Sequence, residues 1–149
     1  MIGGIPGTDM SNEQFRLMIL KHEGLRLFPY KDTVGKLTIG VGRNLDDRGI
    51  SRDEAMIMLT NDIEIARLGL IHAYPWFNSL DEVRQSVLVD MTFNMGIGGV
   101  SKFVLTIDYI KKGEYDKAAQ EMLFSKWGKQ VGGRAVELSE MMRTGKWQI

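Results

Sequence analysis

A mainly helical α+β fold is predicted, with a small antiparallel β-sheet lobe joined by a long helix to a C-terminal helical lobe. Three features of the 149-residue chain predict it. The run SRDEAMIMLTNDIEIARLGLIHAY, from Ser51 to Tyr74, sets Ala55, Met58, Leu59, Ile63, Ala66 and Leu70 at spacings of three and four. That is one apolar stripe opposite a charged face, and it is long for a helix of a compact domain, so it is expected to link two lobes with a cleft between them. Before it, between Leu25 and Ile50, β-type residues are broken by glycines. After it, helical patterns follow one another without a strand signal. The expected organisation is one domain over 1–149, with an N-terminal α/β lobe at about 11–60, the linking helix at about 52–74 and a helical lobe at about 75–149.

In chain order, Ser11 with Gln14, Ser51 with Glu54 and Ser79 with Glu82 each fit a capping box, in which the side chains at N-cap and N3 satisfy each other's free backbone N–H groups. The first helix is expected to end near Gly24. LRLFPY, KLTIGVGR and GIS then read as two or three short antiparallel strands, with KDTVGK as the hairpin turn. PWF interrupts the helical pattern, and SLDEVRQSVLVDMTFNMG is a nearly all-apolar helix ending at Gly96, expected at the centre of the second lobe. Shorter helices are predicted at about 101–112, 115–124 and 134–143, divided by Gly113 and by Gly128, Gly132 and Gly133.

Bulk properties narrow the function. The absence of cysteine excludes disulfides and thiolate metal sites. Nineteen basic and nineteen acidic side chains cancel, which argues against a protein built to neutralise nucleic-acid phosphates. His22 and His72 lack the neighbouring ligands that a zinc site needs, so neither a metal nor a cofactor is expected. The N-terminal MIGGIPGTDMSNEQF has no basic n-region and no apolar run of signal or membrane-spanning length, so passage out of a cell is expected to need a membrane pore.

The stretch HEGLRLFPYKDTVGKLTIGVGR, residues 22–43, carries the chemistry. Glu23 falls at a helix end, Asp32 in the hairpin turn and Thr38 on the returning strand, so the three are able to converge. Cutting a glycosidic bond with water needs a carboxylic acid to protonate the leaving oxygen and a carboxylate on the opposite face to activate the water. Glu23 and Asp32 can supply that pair, and a hydroxyl such as Thr38 can hold the water. Taken alone the pair is a weak signal: two acids nine residues apart arise in many proteins by chance, as a structural helix-end carboxylate and an aspartate favoured by turns.

The pattern Glu-x8-Asp-x5-Thr in this setting resembles the catalytic signature of the phage T4-type lysozymes, the endolysins of glycoside hydrolase family 24. ISRDEAMIMLTNDI, SLDEVRQSVLVDMTFNMGIGGVSKF and SKWGKQVGGRA with MMRTGKW are similar to further blocks of that family, in the same order. The resemblance implies a lysozyme-like fold and a muramidase hydrolysing the β-1,4 bond between N-acetylmuramic acid and N-acetylglucosamine of peptidoglycan, with inversion. It implies Glu23 as general acid, Asp32 as the opposing carboxylate and Thr38 as the hydroxyl that positions water. Arg134 corresponds to an arginine that reaches toward the glutamate, Asn94 to an amide facing the cleft floor, Trp127 and Gln130 to a supporting shell, and Tyr30 to a tyrosine beside the acids.

Implied with these roles are a monomer that partners peptidoglycan, makes no stable membrane association and waits in the host cytoplasm for a holin-type pore. A lytic transglycosylase is the first alternative, but it would use a glutamate without Asp32. A catalytically silent peptidoglycan-binding domain is the second, but it would lose the acids. The chain departs from the family's pattern at Arg43, expected to pair with Asp62, and at His22 and Glu137, whose charges are exchanged relative to the family and which are expected to meet. Trp127 is read as core rather than sugar platform, and the methionines as core filler.

Overall fold

The computed structural model describes residues 13–148. They form two compact units, one running to Ile57 and the other from Met58. The N-terminal unit begins with helix α1 (Glu13–Glu23), which ends where Gly24 turns the chain with φ +76°. Strands β1 (Arg26–Lys31), β2 (Leu37–Gly40) and β3 (Arg43–Asn44) follow, then the single-turn helix α2 (Leu45–Arg48). The sheet is antiparallel in the order β1-β2-β3, with Tyr30 opposite Thr38 and Thr38 opposite Asn44. The predicted KDTVGK turn closes the first hairpin, with the Asp32 N–H donating to the Lys36 carbonyl over 2.9 Å. The third strand lies at Arg43–Asn44 and not at the expected GIS. There Asn44 ends the ladder and caps α2, its side chain accepting from the Asp47 N–H, so the chain turns helical before it reaches Gly49.

Helix α3 (Arg52–Ala73) starts on the predicted capping box: the Ser51 N–H donates to Glu54 Oε1 over 2.8 Å, and the Glu54 N–H to Ser51 Oγ over 3.1 Å. Of its predicted stripe, Ala66 and Leu70 are buried, while Met58, Leu59 and Ile63 remain exposed. A periodic stripe specifies a face but not the length over which a neighbour covers it. The Ser11–Gln14 box falls partly outside the described residues.

The C-terminal unit continues through a 3₁₀ turn (Pro75–Ser79) to α4 (Glu82–Val100), α5 (Val104–Lys111), α6 (Tyr115–Phe124), α7 (Lys126–Val131) and α8 (Gly133–Thr144). Its core gathers Leu70, Phe77, Val87, Leu88, Met91, Val100, Ile110, Met122 and Met142, each 1% exposed or less. Four of these, Val87, Leu88, Met91 and Val100, belong to α4, the apolar segment expected at the centre. Gly96, at φ +74° and ψ 165°, interrupts α4 where the sequence predicted an end, and a second helical piece continues beyond this kink to Val100.

The Ser79–Glu82 box does not form. Asp81 caps α4 instead, accepting from the Arg84 N–H over 3.1 Å, because the 3₁₀ turn runs through Ser79 and Leu80 is extended, so the helix begins only at Glu82; the Ser79 hydroxyl donates to the Trp76 carbonyl over 2.6 Å. An aspartate at this position also places negative charge at the positive end of the helix dipole. Arg84 reaches across to the end of α8, donating to the Met142 and Arg143 carbonyls over 2.7 and 3.0 Å while its guanidinium lies 3.6 Å from the Tyr115 ring centroid. It thereby satisfies two helix-end carbonyls that have no intrahelical donor. Among the described residues no helix is long and apolar enough to cross a membrane.

Candidate active site

Within the N-terminal unit, Glu23, Tyr30, Asp32 and Thr38 are set by α1 and the first hairpin. Asp32 opens the turn. Its Oδ1 accepts the N–H groups of Val34 at 3.0 Å and Lys36 at 2.8 Å, the Asx-turn geometry that makes aspartate a turn former. No described residue donates to its Oδ2, so one carboxylate oxygen builds the turn and the other is open. The side chain is half-buried.

Thr38 sits on the central strand and is only 3% exposed. Its hydroxyl donates to the Lys36 carbonyl over 2.9 Å, which spends its one proton and leaves its lone pairs as acceptors. Tyr30 is its cross-strand neighbour, so the two side chains share a face of the sheet, and the Arg26 guanidinium lies 4.4 Å from the Tyr30 ring centroid.

Glu23 is the last residue of α1 and is exposed. Its side chain lies against the backbone of Gly42, in the turn joining β2 to β3. A Cβ built on Gly42 would stand 2.8 Å from Glu23 Oε2 and 3.0 Å from its Cδ. The turn is held firmly at its next residue. Arg43 grips Glu54 with both arms of its guanidinium, Nη1 to Oε1 at 2.7 Å and Nη2 to Oε2 at 2.6 Å, and donates to the Gly49 carbonyl over 3.2 Å. The expected Arg43–Asp62 pair is therefore replaced by Arg43–Glu54. The capping box had already pinned Glu54 at the start of α3, eleven residues from Arg43, with its second oxygen free to complete a bidentate pair. Hydrogen bonds from Arg43 and from Ser51 hold the Glu54 carboxyl down at a pKa of about 2.

Asn94, Trp127, Gln130 and Arg134 lie in the C-terminal unit. Trp127 is 8% exposed and packs edge-on to Phe103, with ring centroids 6.0 Å apart, as its reading as core requires. Its indole Nε1–H donates to Asn94 Oδ1 at 2.5 Å. Arg134, on α8, is engaged by Asp90: its Nε and Nη2 stand 2.7 and 2.6 Å from Asp90 Oδ1, and Nη2 also donates to the Asp90 carbonyl over 3.2 Å. Asp90 and Asn94 are one helical turn apart, so a single face of α4 orients both Arg134 and Trp127. Asp90 was not foreseen, although its place four residues before Asn94 marks the same face. Gln130 is exposed on α7.

The family model for phage lysozyme matches residues 20–143. The chain belongs to the phage lysozyme family. It is 28% identical to the pre-baseplate central spike protein Gp5 of enterobacteria phage T4 over 95% of its own length, but spans only 29% of that protein. A probable T4-type lysozyme of Dictyostelium discoideum is 27% identical, with 86% of this chain and 92% of the relative covered. A SAR-endolysin of Escherichia phage Mu is also 27% identical, over 92% of this chain and 82% of the relative. The matched span of this phage lysozyme chain holds Glu23, Asp32 and Thr38 together with Asn94, Trp127, Gln130 and Arg134.

Proposed function

We propose that this phage lysozyme family chain is a muramidase of the endolysin kind. It hydrolyses the β-1,4 bond between N-acetylmuramic acid and N-acetylglucosamine of bacterial peptidoglycan with inversion, and so lyses the host cell. The observation that carries this reading is the arrangement of one small unit of a family member: an exposed glutamate seated at a sheet turn, an aspartate with one open oxygen, and a buried threonine whose hydroxyl has acceptor capacity left.

Glu23 protonates the leaving glycosidic oxygen as general acid. Asp32, through Oδ2, takes the proton of the attacking water as base, and the Thr38 oxygen accepts the water's second proton in a hydrogen bond that fixes its direction. Inversion needs a carboxyl separation of about 6.5–9.5 Å to admit that water. Tyr30, Asn94, Trp127, Gln130 and Arg134 serve as substrate-binding or supporting residues, with Asp90 holding Arg134. The chain acts as a monomer on the wall after release through a membrane pore, and needs neither cofactor nor nucleic acid.

The test is the fall in turbidity of outer-membrane-permeabilised Gram-negative cells on adding the native chain or Glu23→Gln, with circular dichroism confirming that both are folded. Loss of the acid is expected to slow lysis by about 10²–10⁴-fold. Equal lysis by the two forms would refute the assignment, and anhydro-sugar ends in the products would identify a transglycosylase instead.

A further inference from the structure

We propose that Gly42 is the positioning residue for the Glu23 carboxyl: the backbone of the β2–β3 turn is the surface against which the acid rests, and a hydrogen at that Cα is the only substituent that leaves it there. The inference rests on the reading of Glu23 as the general acid. Three observations carry it.

The first is the close approach. A Cβ at Gly42 would meet Oε2, Cδ and Cγ of Glu23 at 2.8, 3.0 and 3.3 Å, all below or at the edge of ordinary contact. These atoms are the free end of a flexible side chain, so an alanine here would not break the backbone. It would turn Glu23 into another rotamer and carry the carboxyl away from its seat.

The second is the fixity of the turn. Arg43, the next residue, is locked by its two-armed pair with Glu54 and by the Gly49 carbonyl, and it pairs with Ile39 across the sheet. The surface under Glu23 is consequently set by the start of α3 and by the sheet together, and does not yield to a clash.

The third is an internal control. Gly40, two residues earlier, has φ +70° against +72° at Gly42, yet a Cβ there would meet nothing within 4 Å. The two glycines share the same left-handed backbone demand, and only one of them touches the acid.

Gly40→Ala and Gly42→Ala are therefore compared at a temperature where circular dichroism shows both folded. Both pay the conformational cost of a left-handed alanine. Only Gly42→Ala is expected to lose a further factor of about 10–100 in turnover on purified peptidoglycan, with the half-saturating substrate concentration unchanged, since a displacement near 1 Å at a reacting group costs on that order. Equal losses in the two variants would overturn the proposal. A second readout does not depend on catalysis: in ¹³C-labelled protein the Glu23 Cδ resonance is expected to move in Gly42→Ala and to stay in place in Gly40→Ala. An unmoved resonance in Gly42→Ala would likewise overturn it. Should the native chain fail to lyse cells, or Glu23→Gln lyse them equally, the muramidase reading falls, while the Cδ resonance still decides whether Gly42 seats the carboxyl.

Discussion

Replacing Gly128 with alanine tests how tightly the α6–α7 junction is closed. A Cβ at Gly128 would lie 2.4 Å from the Met122 carbonyl oxygen, 2.5 Å from that of Leu123 and 3.0 Å from the Leu123 carbonyl carbon. Unlike Glu23 at Gly42, these are backbone atoms. Ser125 locks them further, since its hydroxyl donates to the Met122 carbonyl over 2.7 Å and accepts the Gly128 N–H over 2.9 Å. Relief requires the two helices to part, an overpacking cost of about 1–3 kcal/mol, against which alanine's better helix propensity returns about 0.5–1 kcal/mol.

Gly69→Ala is the matched control. It lies inside α3, where a Cβ meets nothing within 4 Å, so the propensity gain stands alone. Thermal unfolding followed by circular dichroism should show Gly128→Ala melting lower and Gly69→Ala melting higher than the native chain, by about 2–4 °C per kcal/mol for a chain of this size. A Gly128→Ala that melts at or above the native temperature, or two shifts of the same sign, would refute the packing argument.

Asp32→Asn keeps an Oδ1 that can still accept from Val34 and Lys36, so stability should be nearly unchanged while lytic activity is lost; joint loss of both in a melting and turbidity comparison would mean that the residue is structural. The Glu54 carboxyl, held at a pKa of about 2 in the fold against an ordinary 4.5, stabilises the native state fully above about pH 4.5 and loses that contribution as pH falls toward 2. Glu54→Gln should accordingly flatten this acid limb, and melting curves between pH 5 and 2 that remain parallel for the two proteins would contradict it. Leu88→Ala, at a fully buried position of α4, should cost about 2–5 kcal/mol in denaturant unfolding. Arg134→Gln breaks an ion pair whose side chains are 40% and 41% exposed, so it should change stability by less than about 1 kcal/mol, and a larger loss in the same unfolding assay would show the pair to be structural.

The elements that the sequence made legible are those whose signal is local. A capping box is a closed exchange between residues three apart, and Ser51–Glu54 forms as predicted, the carboxylate having acceptor capacity for both the Ser51 N–H and the Arg43 guanidinium. Ser79 offered the same pattern and failed, because Pro75 starts a 3₁₀ turn that holds Ser79 within it, and the extended Leu80 and Asp81 that follow put the helix start at Glu82. The hairpin turn was legible for the same local reason. The Asx turn of Asp32 closes over four residues, and its demand for one carboxylate oxygen was compatible with a second duty for the other. Composition marked the core of α4 but not the fate of every methionine: Met91, Met122 and Met142 are buried, whereas Met56 and Met58 are about half exposed.

What the sequence withheld is the choice among chemically equivalent partners. Arg43 had a selection of acids, and the motif gives no distance to Asp62 or Glu54. The decision falls to Glu54 because its capping role has already fixed its side chain, so pairing there costs less conformational entropy than ordering a free aspartate would. Asp90 and Arg134 likewise meet across 44 positions that no local pattern connects. Gly42 is the sharpest instance. In the sequence it is one of two glycines in a Gly-x-Gly turn, indistinguishable from Gly40 by type, spacing or backbone demand. Only the fold puts Glu23 against one of them, so a residue without a side chain comes to determine where the side chain of the proposed acid can stand.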